Sequence, residues 1–328
     1  MSVPYQKVGT AIGEASAPTG GWQNRTRKPR EALEPLEILM SIVVTGATGH
    51  LGRLTVEKLL DRGVEPGRIV AGARSVDAAA PLAARGVDVR RLDFDDPATL
   101  ADAFAGAERV LIVSGRDFGV RVGQHVGAAR AAQEAGATLV AYTSGPYADT
   151  SSMQLLADHR ATEEGIRALG VPFTFLRNGW YLENYTDQFP TFLAHGIADA
   201  TGDGRVSAAA RADFAEAAAA VLTGEGHENA VYELGGDTSF SLAELADVLS
   251  AHVGVPVPRR QVTEEALRAI LVGAGVPGPA AAVFADVDRA ISEGALLIET
   301  GDLSRLIGHP ATTLAEAVAG TPAPGARV

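Results

Sequence analysis

GATGHLG, residues 46–52, follows directly on the apolar run SIVVT at 41–45. Glycine inside a helix costs about 1 kcal/mol relative to alanine, so three of them in seven residues mark a turn rather than helix interior. The stretch from Leu51 to Leu60 then carries apolar residues at helical spacing, with Leu51, Val56, Leu59 and Leu60 available for one face. The reading is strand, glycine turn, helix. In such a unit Gly46 serves the tight turn, Gly49 admits the close approach of a pyrophosphate, and Gly52 brings helix and strand together. The helix start turns free N–H groups toward the phosphates. Thr48, His50 and Leu51 complete the cradle, and Thr48 and His50 can donate to phosphate or ribose. A packing turn in another kind of α/β protein is the competing explanation. The motif's place at the head of an alternating domain favours a dinucleotide site.

The alternation continues outward from this turn. RIVAGA, VDVRRLDF, RVLIVSG, TLVAYTSG and PFTFLRNGW read as strands, separated by helical stretches around ATLADAF, 121–135 and 157–169. Short apolar runs separated by helices belong to a parallel sheet covered on both faces. The expected fold class is therefore α/β: a doubly wound, Rossmann-type parallel sheet with a smaller C-terminal substrate lobe. Helices at 212–222 and 241–254 and strands in NAVYELGG and PVPRRQV are expected to complete the sheet and build that lobe. Ser241 followed by Glu244 has the pattern of a helix-start cap. The expected division is a flexible extension over 1–39, an NAD(P)-binding core over 40–180, a mixed region completing the core and forming the lobe over 181–320, and a flexible tail over 321–328. Met40 offers an alternative start to Met1.

Composition narrows the function classes. The 328 residues contain no cysteine, which removes disulfides, thiolate metal ligands and cysteine nucleophiles together. A net charge of -12 argues against a nucleic-acid surface. No stretch is apolar enough to insert in a membrane, and a cytoplasmic protein is expected. The seven histidines form no HExxH pattern, so no metal site is expected.

Further strand ends refine the cofactor. An acid at the end of the second strand would bind a ribose 2′-OH, but RIVAGARS puts Arg74 there, whose guanidinium suits a phosphate. NADP(H) is expected over NAD(H), with nearby Asp77 as the contrary sign. Asp93 ends the third strand, either beside adenine or capping the next segment. Ser114 and Gly115, Thr143 and Ser144, and Asn178 end the next three strands and are expected around the nicotinamide half.

A tyrosine–lysine catalytic pair is impossible, since the only lysines are Lys7, Lys28 and Lys58 and none lies four residues after a tyrosine. In the corresponding helix, His159 and Glu163 stand four apart and are expected either to pair beside the substrate or to cap or solvate that helix. LRNGWYLENY leaves the sixth strand carrying Asn178, Trp180, Tyr181, Asn184 and Tyr185. It is expected to form an aromatic wall for a flat acceptor, or else an aromatic core joining two lobes. Hydride delivery to a quinone creates an anion that solvent, His159 or a tyrosine (Tyr181) protonates. Quinols need little acid help, which favours a quinone-like acceptor over a simple ketone.

VTGATGHLG, AYTSGPYADTS, RNGWYLENY, ARADFAEAAA, VYELGGD and LIGHPATTLAEAV together resemble the NmrA-like atypical short-chain reductases, nearest to the type 2 NAD(P)H:quinone oxidoreductases. The resemblance covers about residues 41–320. It implies an NADPH-preferring Rossmann domain, the Gly46–Gly52 loop on pyrophosphate, Arg74 on the 2′-phosphate, and Asn178, Trp180 and Tyr181 near nicotinamide and acceptor. A basic residue common in the family soon after the arginine is absent from GARSVDAAAP. Members also include homodimers and non-catalytic NAD(P)-sensing regulators, and reduction of another conjugated carbonyl is a further alternative.

Overall fold

A computed structural model describes residues 41–322; the expected extension over 1–39 and residues 323–328 of the expected tail lie outside the described residues. Strands β1 (Ser41–Val44), β2 (Ile69–Ala73), β3 (Asp88–Arg91), β4 (Ala107–Ile112), β5 (Leu139–Ser144) and β6 (Phe173–Asn178) alternate with helices α1 (His50–Asp61), α2 (Ala80–Ala83), α3 (Pro97–Phe104), α4 (Arg121–Glu134) and α5 (Ala157–Leu169). Then follow α6 (Glu183–Thr186), α7 (Phe189–His195), β7 (Ile197–Asp199), α8 (Arg211–Thr223), β8 (Ala230–Leu234), α9 (Leu242–Val253) and β9 (Arg259–Gln261). The last elements are α10 (Glu264–Gly273), α11 (Gly278–Ser292), α12 (Asp302–Ile307) and α13 (Leu314–Ala319).

Seven strands form one parallel sheet in the order β3-β2-β1-β4-β5-β6-β8. Every residue of β1, β2, β5 and β6 is buried, so these strands show no alternation of buried and exposed positions. Successive residues face opposite layers: Val43 packs in a core with Phe104, Val110 and Ala128, whereas Val44 packs in the other with Leu59, Leu111 and Phe214. The strand order reverses between β1 and β4, opening a crevice at their carboxyl ends. The glycine turn lies at that crevice.

NAVYELGG extends this sheet as β8, while PVPRRQV does not: β9 pairs with β7 in a separate two-stranded piece. Around that piece a third core gathers Phe189, Phe192, Leu245, Leu249, Val287 and Ile291 into the lobe. The Ser241–Glu244 capping box is complete, with Ser241 Oγ accepting from the Glu244 amide and Glu244 Oε2 accepting from the Ser241 amide. Among the described residues no helix is long and apolar enough to cross a membrane.

Candidate functional site

The glycine turn has the geometry its residues demand. Gly46 adopts φ +62°, in the left-handed region. Its carbonyl accepts from the Gly49 amide at 2.9 Å, closing the turn. A Cβ on Gly52 would lie 2.3 Å from that same carbonyl oxygen, so α1 begins against the turn with no room for a side chain. No side chain caps α1, and its first-turn amides have no intrahelical acceptor. Thr48, Gly49 and His50 are exposed beside them, while Leu51 is turned into the core. A concave backbone with uncapped N–H groups fits a diphosphate.

Arg74 lies one residue beyond β2, exposed, with no hydrogen bond or ion pair to a described residue. Asp77 is exposed too. Asp93 Oδ1 accepts from the Asp95 amide at 3.2 Å, while the cap of the following helix α3 is Asp96.

At the next strand ends the small polar groups bind one another. The Ser114 amide donates to Thr143 Oγ1 at 2.8 Å, and Ser144 Oγ donates to Glu163 Oε1 at 2.6 Å. The Gly115 amide donates to His125 Nε2 at 2.9 Å. That donor fixes the His125 proton on Nδ1, 3.4 Å from Tyr142 Oη, and Tyr142 in turn donates to His159 Nδ1 at 2.9 Å. His159 therefore carries its proton on Nε2. The row ends in a backbone amide, which cannot resupply a proton.

The expected His159–Glu163 pair does not form. Arg177 takes both Glu163 oxygens, at 2.9 and 2.7 Å, because a guanidinium fork satisfies a buried carboxylate better than one imidazole N–H. Burial, reinforced by the Arg121 guanidinium, pushes His159 down to about 3, so it holds no imidazolium proton near neutrality. Burial and Arg121 likewise push His125 down to about 4. Unfolding restores ordinary histidines that take up protons below about pH 6.5, so folded stability falls as pH drops from there toward those two values. Between pH 7.5 and 5 the expected loss is about 2 kcal/mol per histidine in urea unfolding. His159→Asn should flatten that slope; an unaltered slope would contradict the assignment.

The aromatic stretch after β6 also differs from the single wall expected. Tyr181 bridges to Ala209, with the Ala209 amide donating to the Trp180 carbonyl and the Leu182 amide to the Ala209 carbonyl. In this extended segment neighbouring side chains alternate. Tyr181 packs toward the sheet, edge-on to Phe214 at 5.3 Å, with Arg211 over its ring. Trp180 and Tyr185 turn into the lobe, where Tyr185 meets Phe240. Tyr185 lines a lobe cavity together with Trp180 and Asn184. Asn178 remains at the carboxyl edge, buried, its Nδ2 3.5 Å from Tyr181 Oη and its Oδ1 without a partner. A buried amide oxygen left unpaired at a crevice is a position for an incoming N–H donor. Burial raises the Tyr181 hydroxyl above its ordinary range, keeping it protonated.

Sequence reasoning missed Tyr142 and His125, the Arg177 ion network and the α10–α11 side of the lobe cavity. Only the last had a local signal, the fourfold spacing of Leu267 with Leu271 and of Val287 with Ile291.

A sequence model described as the NmrA-like family matches residues 40–309. The chain is 43% identical to quinone oxidoreductase 2 of Escherichia coli K12 over 278 residues, 84% of this chain and 97% of that protein. The crystal structure of the E. coli NADPH-dependent quinone oxidoreductase complexed with NADPH superposes with a TM-score of 0.82 at 43% identity, over 84% of this chain and 98% of that one. The Citrobacter sp. triphenylmethane reductase complexed with NADP(H) gives a TM-score of 0.80 at 39% identity, over 85% and 99%.

Proposed function

Since the chain belongs to the NmrA-like family, we propose that it is an NADPH-dependent oxidoreductase that reduces a quinone-like acceptor. The observation that carries this reading is the Gly46–Gly52 turn, where uncapped helix amides meet a backbone that excludes a Cβ. The full-length similarity to an NADPH-dependent quinone oxidoreductase supports the choice of acceptor.

When bound, the dinucleotide supplies the hydride. The protein's part is placement. The turn and the first amides of α1 hold the diphosphate, and exposed Arg74 takes the 2′-phosphate. The unpaired Asn178 Oδ1 receives the carboxamide N–H of the nicotinamide, which fixes the ring. Trp180 offers a face for a flat acceptor, and the protonated Tyr181 hydroxyl donates toward an acceptor oxygen as charge builds there. Water completes the proton inventory, since neutral His159 has no acid to give.

The test follows cofactor absorbance with purified protein, NADPH and a panel of benzoquinones and naphthoquinones. Quinone-dependent oxidation of NADPH is expected. Stoichiometric binding without turnover would replace the enzyme by an NAD(P)-sensing regulator, and turnover confined to another conjugated carbonyl would change the acceptor class. Arg74→Ala should weaken NADPH binding about 10- to 100-fold, the loss of a charge-assisted contact, and leave NADH within about twofold. Equal losses for both would remove Arg74 from the 2′-phosphate.

A further inference from the structure

The lobe carries a cavity of about 510 Å³, open to solvent on one side, between α6–α7, β7, α10 and α11. Trp180, Tyr185, Phe192 and Phe284 give it aromatic faces, and Phe284 is half exposed at 51%. Four carboxylates line it as well: Glu183, Asp187, Asp199 and Asp288. Three are already engaged. Glu183 accepts from the Arg211 amide at 3.0 and 3.1 Å, Asp187 lies 3.6 Å from the Arg211 guanidinium, and Asp199 receives both arms of Arg259 at 2.7 and 2.9 Å. Asp288 differs. Its Oδ2 accepts from the Ala200 amide at 2.9 Å, and among the described residues it has no ion-pair partner.

The second unsatisfied group is Tyr185, 8% exposed, whose buried hydroxyl has no hydrogen-bond partner and feels the charges of Asp288 and Asp199. Tyr185, with its unpartnered hydroxyl, and Asp288, a half-buried carboxylate with no ion pair among the described residues, both line this cavity beside aromatic faces. Each leaves a debt that a ligand group can cancel. A neutral alkyl chain would fill the volume and satisfy neither. An anion would meet four carboxylates against the two guanidiniums of Arg211 and Arg259.

We propose that this cavity is a binding site for an organic monocation, a protonated amine on an apolar or aromatic body, with its ammonium held between Asp288 and the Tyr185 hydroxyl. The body lies among Trp180, Phe192 and Phe284, whose ring faces also attract a cation. The site is distinct from the glycine turn, and its occupancy needs no hydride transfer, so it stands or falls independently of the proposed reaction. Because Trp180 borders it, a cationic acceptor would be drawn to the edge of the crevice by this contact.

Binding should depend on pH. Burial, with Asp199 adding to it and Arg259 opposing, pushes Asp288 up to about 6. Above that value the carboxylate is charged and the ammonium is held; below it Asp288 takes a proton and the attraction is lost.

The experiment compares n-octylammonium, 1-octanol and octanoate, three probes with matched chains, by calorimetry on the full chain. At pH 7.5 octylammonium should bind at least about 10-fold more tightly than octanol, with octanoate weakest. At pH 5, and at pH 7.5 in Asp288→Asn, the advantage over octanol should shrink to within about threefold. NADPH binding is the control for folding of the variant, and if that variant fails to fold the wild-type pH series decides alone. Octanol equal to or tighter than the amine would make the cavity an apolar slot. Tightest binding by octanoate, no binding of the amine, or an advantage that persists in Asp288→Asn would each overturn the proposal.

Discussion

Gly52→Val is expected to weaken NADPH binding at least about 100-fold while the chain still folds. A Cβ at this position would lie 2.3 Å from Gly46 O, 2.8 Å from Gly46 C and 3.1 Å from Ala47 Cα. All three atoms are backbone, so no rotamer change relieves the clash. Either the turn moves away from α1 or the first turn of the helix unwinds. Both remove the superposition of concave backbone and helix N-terminus on which anion binding depends. Overpacking of this kind costs about 1–3 kcal/mol in stability, which leaves a folded protein to titrate. Gly67→Ala is the matched control, since a Cβ there meets nothing within 4 Å. Titration of both variants with NADPH checks the expectation. If Gly52→Val retained affinity within about threefold of wild type, the diphosphate would have to bind elsewhere.

This turn was legible in the sequence because its physics is local. Gly46 needs a positive φ and Gly52 needs the absence of a side chain, and both requirements arise within seven residues. The strands were legible for a related reason: with both faces covered, β1 and β2 read as short, mostly apolar runs. The second half of the site was not local. Tyr181 and Tyr185 differ in destination because residues 180–182 pair with Ala209, and nothing in RNGWYLENY announces that partner. The His159–Glu163 spacing was read correctly as one face of a helix. Which partner each finds was decided by Tyr142 and Arg177 on neighbouring strands. Helical spacing brings two groups within reach, and a stronger competitor across the sheet then separates them.

Arg177→Met is expected to cost about 3–5 kcal/mol of stability, the largest loss from a single substitution near the crevice. The guanidinium bonds Glu163 at 2.9 and 2.7 Å, Glu233 at 2.8 Å and Asp149 at 2.9 Å. Asp149 is open to solvent and tolerates the loss, but the Glu163 side chain is 4% exposed. With Arg177 gone Glu163 keeps only the Ser144 hydroxyl as a partner for a buried charge. A buried carboxylate left with one hydroxyl partner is the uncompensated charge from which the penalty comes. Urea unfolding at pH 7.5 should show the loss, and Glu163→Gln added to Arg177→Met should recover part of it. A double variant no more stable than the single would mean that packing rather than charge sets the cost. The consequence reaches the site, because Arg177 immediately precedes Asn178 on β6. The ion network anchors the strand end that carries Asn178 and its unpaired amide oxygen.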